Sequence, residues 1–171
     1  MESNNNLPEV WLRGPVPAIP ALLQPVAHAL LQAREEITEI MHQFPAQLLW
    51  KRPADVASPA FHLQHLTGVL DRLFTYARNE SLTAEQLQYL FAEGLPAQEI
   101  TIQELLESFY NQVEKVLLQL SETEESCFVE KRKVGRAQLP STVIGLFVHA
   151  AEHTTRHVGQ LFVTIRILMS S

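Results

Sequence analysis

Apolar residues along this chain recur mostly at intervals of three and four, the spacing of one face of an α-helix. Between Ala21 and Phe44 they fall at Leu23, Val26, Ala27, Leu30, Ile37, Ile40, Met41 and Phe44. This predicts a first helix. Pro45 must end it, because proline cannot continue the hydrogen-bond ladder. Pro25 marks either an early kink or the true first turn. Ser58-Pro59 then offers an N-cap with proline at the first helical position. A second helix is expected from there to about Arg78, with one stripe reading Phe61, His65, Val69, Leu73. The capping box Thr101-Ile102-Gln103-Glu104 opens a third helix, with Leu105, Phe109, Val113, Val116, Leu117 and Leu120 inward. A fourth is expected from about Ser141 to Met169, roughly 40 Å long at 1.5 Å per residue. Its stripe reads Leu146, Ala150, His153, His157, Leu161, Ile165.

The connections carry different signals. Residues 1–18 are polar, then proline-rich, and read as an N-terminal arm ahead of a single domain over 19–171. Residues 46–57 form a connector holding Trp50 and Pro53. Residues 79–100 are long enough for a crossover between helices that are not hairpin neighbours. They should hold a short helix, opened by Thr83-Ala84-Glu85-Gln86 and closed by Gly94 and Pro96. Residues 121–139 are acidic, then basic, then turn-like, with Cys127-Phe128-Val129 as a candidate extended segment. No internal repeat or low-complexity tract interrupts this pattern. Four long amphipathic helices with almost no β signal predict an all-α four-helix bundle.

Composition narrows the partners. The chain has 171 residues and is 46% hydrophobic, which suits one domain with a sizeable core. Its net charge of -6 argues against nucleic acid as a partner, since neutralising phosphates needs clustered Lys and Arg. The basic run Lys131-Arg132-Lys133 reads as a solvated loop. Cys127 is the one cysteine, so no internal disulfide can form and a reducing, cytoplasmic setting is expected. It has no activating neighbour and reads as a bystander thiol. The first residues show no signal-peptide pattern, and no stretch of about 18 apolar residues could span a membrane.

The seven histidines are unevenly placed. Five lie in two short segments: His62 and His65, then His149, His153 and His157. His28 and His42 stand alone and receive no role. A spacing of four puts successive rings about 40° apart on one helical face, so a pair can chelate one cation. A third nitrogen from a neighbouring helix would complete a facial set with an open position, the arrangement of a catalytic zinc-type site. A single histidine on an apolar stripe is ordinarily a hydrogen-bonded core residue. Several titratable rings among Leu, Phe and Val are costly unless something pairs them, and a metal does so. Spacing leaves two chelating pairs open, His149–His153 and His153–His157, with His62 or His65 opposite. His149-x-x-Glu152-His153 also matches a protease motif in which two histidines bind zinc and the glutamate is a base. That family's third ligand lies on a further helix downstream, and only 18 residues follow His153.

Several residues together resemble the DinB/YfiT-like superfamily of metal-binding four-helix bundles. They are Trp50, then Ser58 with His65-Leu66 seven residues on, then Glu152-His153-x-x-x-His157-x-Gly159-Gln160. The resemblance covers about residues 19–169. It implies an up-down-down-up bundle with a long crossover. It also implies His65, His153 and His157 as ligands of nickel or zinc, with water at the open positions. Characterised relatives include thiol S-transferases that use bacillithiol, mycothiol or glutathione, and one branch isomerises maleylpyruvate. Many relatives are homodimers. No residue here identifies a branch.

Glu152 lies off the His153–His157 stripe but could orient a ring nitrogen from the side. Gln160 can reach the ligand face, and Gly159 is expected to permit close helix approach. The expected function is a divalent-metal-dependent enzyme acting on a small molecule, with a low-molecular-weight thiol or a water activated in the open position. The alternative is a non-enzymatic, dimeric metal-binding or stress-linked interaction protein.

Overall fold

Helix starts in this protein are set by side chains that satisfy otherwise orphaned amides. In the computed structural model, which describes residues 7–97 and 99–170, three of the four long helices begin this way. Ser58 Oγ accepts from the Phe61 amide at 3.2 Å and starts α2, Pro59–Ala77. Thr101 and Glu104 form the expected reciprocal box at the start of α4, Ile102–Glu122. Thr142 Oγ1 accepts from the Gly145 amide at 3.1 Å and starts α5, Val143–Met169. The remaining long helix, α1, spans Gln24–Met41 and has no side-chain cap. A 3₁₀ turn at Ala21–Leu23 leads into it, and Pro25 occupies its first turn without kinking it. The short helix α3, Ala84–Ala92, begins with the Thr83–Gln86 capping box.

The hydrogen bonds between helices give their directions. Arg34 pairs with Glu114, and Thr38 meets Tyr110 at 2.6 Å, so α1 and α4 are antiparallel. Arg78 donates to Gln119 at 2.6 Å, and Gln119 donates to the Phe74 carbonyl at 3.1 Å, so α2 and α4 run parallel. His65 faces His153 while His62 faces His157, which makes α2 and α5 antiparallel. The order is therefore up-down-down-up. Both α1 and α2 pack against α4 and α5, which puts α1 and α2 on opposite corners. The connection from α2 to its parallel neighbour α4 is the long crossover, and α3 lies along α2 within it.

The helical stripes meet in one core. Leu23, Leu30, Ile37, Leu63, Leu66, Leu70, Phe74, Phe109, Val113, Leu120, Phe147 and Leu161 are all fully enclosed. Phe74 and Phe147 stack across the α2–α5 seam with centroids 4.7 Å apart. Burying such side chains contributes roughly 1.5–3 kcal/mol each. Among the described residues, no helix is long and apolar enough to cross a membrane.

The structure corrects several boundaries. The first helix stops at Met41, and Gln43, with φ +60°, turns the chain so that Phe44 returns to the core. The residue before a proline disfavours helical backbone, which explains the early exit ahead of Pro45. Residues 125–127 form a 3₁₀ turn, so Cys127-Phe128-Val129 is not extended. The extended segment is the basic run itself. Lys131–Val134 forms β1, paired antiparallel with β2, Leu139–Thr142. Arg132 in particular is not solvated. Its Nε donates to the Ala77 carbonyl at 2.7 Å, at the open end of α2, and its guanidinium pairs with Glu130. A cation there satisfies a terminal carbonyl and complements the helix dipole. Ser141 and Thr142 belong to β2, so the last helix begins two residues later than its apolar pattern suggested. Residues 1–6 of the arm lie outside the described residues; among the rest, a short 3₁₀ turn, Val10–Arg13, is tied to α1 by an Arg13–Glu35 ion pair and by the Val10 amide on Gln32.

Candidate metal centre

The antiparallel α2–α5 pair brings the histidine-bearing stripes face to face. His65 Nε2 lies 2.8 Å from His153 Nε2. The His157 ring sits 4.6 Å from His65 and 4.5 Å from His153, centroid to centroid. One ring nitrogen from each of the three falls within 4.8 Å of the others. All three side chains are half-buried.

The outer partners decide which nitrogen each ring turns inward. His65 Nδ1 lies 2.7 Å from Glu93 Oε2, and Glu93 Oε1 accepts from Arg72 at 2.6 Å. Paired with a guanidinium, this carboxylate only accepts, so the His65 proton sits on Nδ1. Its Nε2 lone pair therefore faces the cluster. Glu93 is 4% exposed. It reaches α2 because Gly68 has no side chain: a Cβ there would collide with Glu93 Oε1 and stand 2.5 Å from Arg72. The next residue, Gly94, has φ +82°, a conformation that favours glycine, and its amide donates to Gln64 at 2.8 Å. Phe61 stacks on His65 with centroids 5.2 Å apart and planes 10° apart.

His62 is buried, with Nδ1 3.1 Å from His157 Nδ1. One of the two must donate. When His157 does, its Nε2 lone pair turns to the cluster. Burial first, and the neighbouring His65 second, push His62, His153 and His157 down to about 4. These rings are neutral at pH 7. His153 Nδ1 is buried and has no hydrogen-bond partner among the described residues. Three imidazole nitrogens converging from two helices form a donor set that fits a divalent metal of the zinc or nickel type.

Other residues singled out in the sequence lie further out. His149 is half exposed, 3.7 Å from Glu152, and Glu152 pairs with Arg156 on the outer face of α5. Gln160 is exposed and lines a groove of about 530 Å³ that also touches His62 and Arg156. Gly159 does not serve close helix approach, because nothing lies within 4 Å of where its Cβ would be. His28 bonds the Gly14 carbonyl at 3.0 Å, and His42 is exposed. Cys127 is half-buried in the turn after α4. Two larger cavities, of about 590 and 710 Å³, are lined by other residues, among them Ile40 and Phe162 in one and Trp11 and His28 in the other. No sequence pattern singles out Glu93 or Arg72. Glu93 reads in sequence as the end of a short helix before Gly94, and its link to His65 spans 28 residues.

A four-helix bundle with three imidazoles converging between antiparallel helices defines a class of cation-binding bundles. The chain belongs to one family of that class, the DinB superfamily, whose model matches residues 29–161. Solved structures share the fold. A conserved protein from Enterococcus faecalis matches with a TM-score of 0.70 at 17% identity, over 87% of this chain and 98% of its own. A protein from Streptococcus pneumoniae matches at 0.61 and 17%, over 85% and 88%. An uncharacterised protein from Clostridium difficile matches at 0.62 and 14%, over 85% and 94%. No curated protein matches the chain.

Proposed function

We propose that this protein is a divalent-metal-dependent enzyme whose cation is held by His65, His153 and His157. The proposed chemistry is thiol S-transfer or a related attack by an activated nucleophile. The observation that carries the reading is the convergence of three imidazole nitrogens within 4.8 Å. A bound zinc or nickel ion supplies Lewis acidity, which lowers the pKa of a thiol or water. The chain's own residues hold and orient. Glu93 keeps the His65 proton on Nδ1, His62 backs His157, and Phe61 covers the His65 ring. The proposed setting is the reducing cytoplasm, with a low-molecular-weight thiol as co-substrate and a small electrophile as substrate.

Metal analysis of untagged protein tests the site. About one nickel or zinc per chain is expected, and His153→Ala should abolish it. Metal content unchanged by that substitution would remove the assignment. Activity is tested with nickel-, zinc- or manganese-loaded protein against a panel of thiols and electrophiles. No turnover across the panel would favour the second reading, a non-enzymatic dimeric metal-binding protein. One observation supports that reading: the larger grooves are lined by residues other than the three histidines, and the one beside the cluster reaches only His62.

A further inference from the structure

The crossover helix α3 docks on α2 without burying any of its residues. Phe91 is 72% exposed and Leu90 37%. Apolar burial is the main driving force for docking, so an element lacking it belongs to the low-stability end of the molecule. Polar contacts hold α3 instead. Gln86 donates to Asp71 and Thr75, each at 2.8 Å, and Tyr89 donates to the Gln64 carbonyl at 3.2 Å. The last anchor is Glu93, one carboxylate bridging Arg72 on one oxygen and His65 on the other. The crossover is therefore fastened directly to one of the three clustered imidazoles.

We propose that Glu93 is a positioning residue that couples the crossover helix to the bound cation. The inference rests on the metal reading above. A cation on His65 Nε2 draws electron density from the ring and makes Nδ1–H a stronger donor to the carboxylate. Such carboxylate–histidine–metal arrangements strengthen ligation, and losing the outer partner typically costs about 10–100-fold in affinity. Coupling is reciprocal: if Glu93 improves cation binding, cation binding must tighten the docking of α3 by the same free energy. A purely architectural Glu93–Arg72 pair would hold α3 equally well with or without metal.

The experiment uses the full-length untagged chain with zinc alone as probe. Affinity is read by competition with a chromophoric chelator. Glu93→Gln keeps the shape and removes the charge, and should weaken zinc binding by about 10–100-fold. Gly68→Ala changes no ligand and no charge. It displaces the carboxylate sterically and should weaken zinc in the same direction, so it carries the test if Glu93→Gln does not fold. Hydrogen exchange over residues 84–97 supplies the second readout. Zinc should slow exchange there in the native chain and not in Glu93→Gln. Native protein that binds zinc, with Glu93→Gln within twofold of it or equally protected by zinc, overturns the inference and leaves the metal reading standing. Native protein that binds no divalent cation overturns both.

Discussion

His62 shows what a buried neutral imidazole does for this protein. It is enclosed beside His157, and burial lowers its pKa, as it does for His153 and His157, to about 4. Unfolded, each titrates near the ordinary histidine value of about 6.5. Between those values the unfolded chain binds more protons than the folded one, so acid favours unfolding. The stability these rings hold above pH 6.5 is lost progressively as pH falls towards 4. Metal-free protein should therefore have a lower urea midpoint at pH 5.5 than at pH 7. Equal midpoints would mean that the rings are not held neutral. The rings of His153 and His157 therefore stay neutral, and available to a cation, below the pH at which free histidine protonates.

At the scale of elements, α5 matters most because it carries two of the three clustered rings. Its start depends on Thr142, which belongs both to β2 and to the cap. Thr142→Ala should cost about 1 kcal/mol, read from urea unfolding, because the Gly145 amide loses its acceptor. Zinc affinity should stay unchanged, since Thr142 lies three helical turns from His153. A parallel loss of affinity would mean that the cluster depends on the hairpin as well as on α5. The hairpin has its own part in the bundle: through Arg132 it closes the carbonyl end of α2.

At the scale of the whole molecule, α5 presents an apolar exposed stretch. Phe162, Val163, Ile167 and Met169 on α5 are exposed, and nothing approaches Gly159 beside them. Exposed apolar surface is the kind that association sites use. A homodimer, the assembly that the family resemblance implies, is expected to use it. Light scattering should give twice the 19.4 kDa chain mass, and Val163→Glu should give the monomer. A monomeric native chain would remove that proposal. Much of the bundle was already determined by local sequence. Helix positions, caps and inward stripes follow from the periodicity of side chains a few residues apart. So does the His153–His157 pair, which one helical turn brings together. The interactions that cross between elements were settled only by tertiary structure. The pairing of α2 with α5 placed His65 across from that pair, with a ring nitrogen converging on both, whereas the exposed His149 touches only His153 along its own helix. The crossover brought Glu93 onto His65 over a glycine, and β1 turned Arg132 of a basic run into the residue that closes α2. Helical spacing is a short-range geometric rule legible along the chain. A contact spanning 28 or 88 residues exists only once the core has fixed which faces meet.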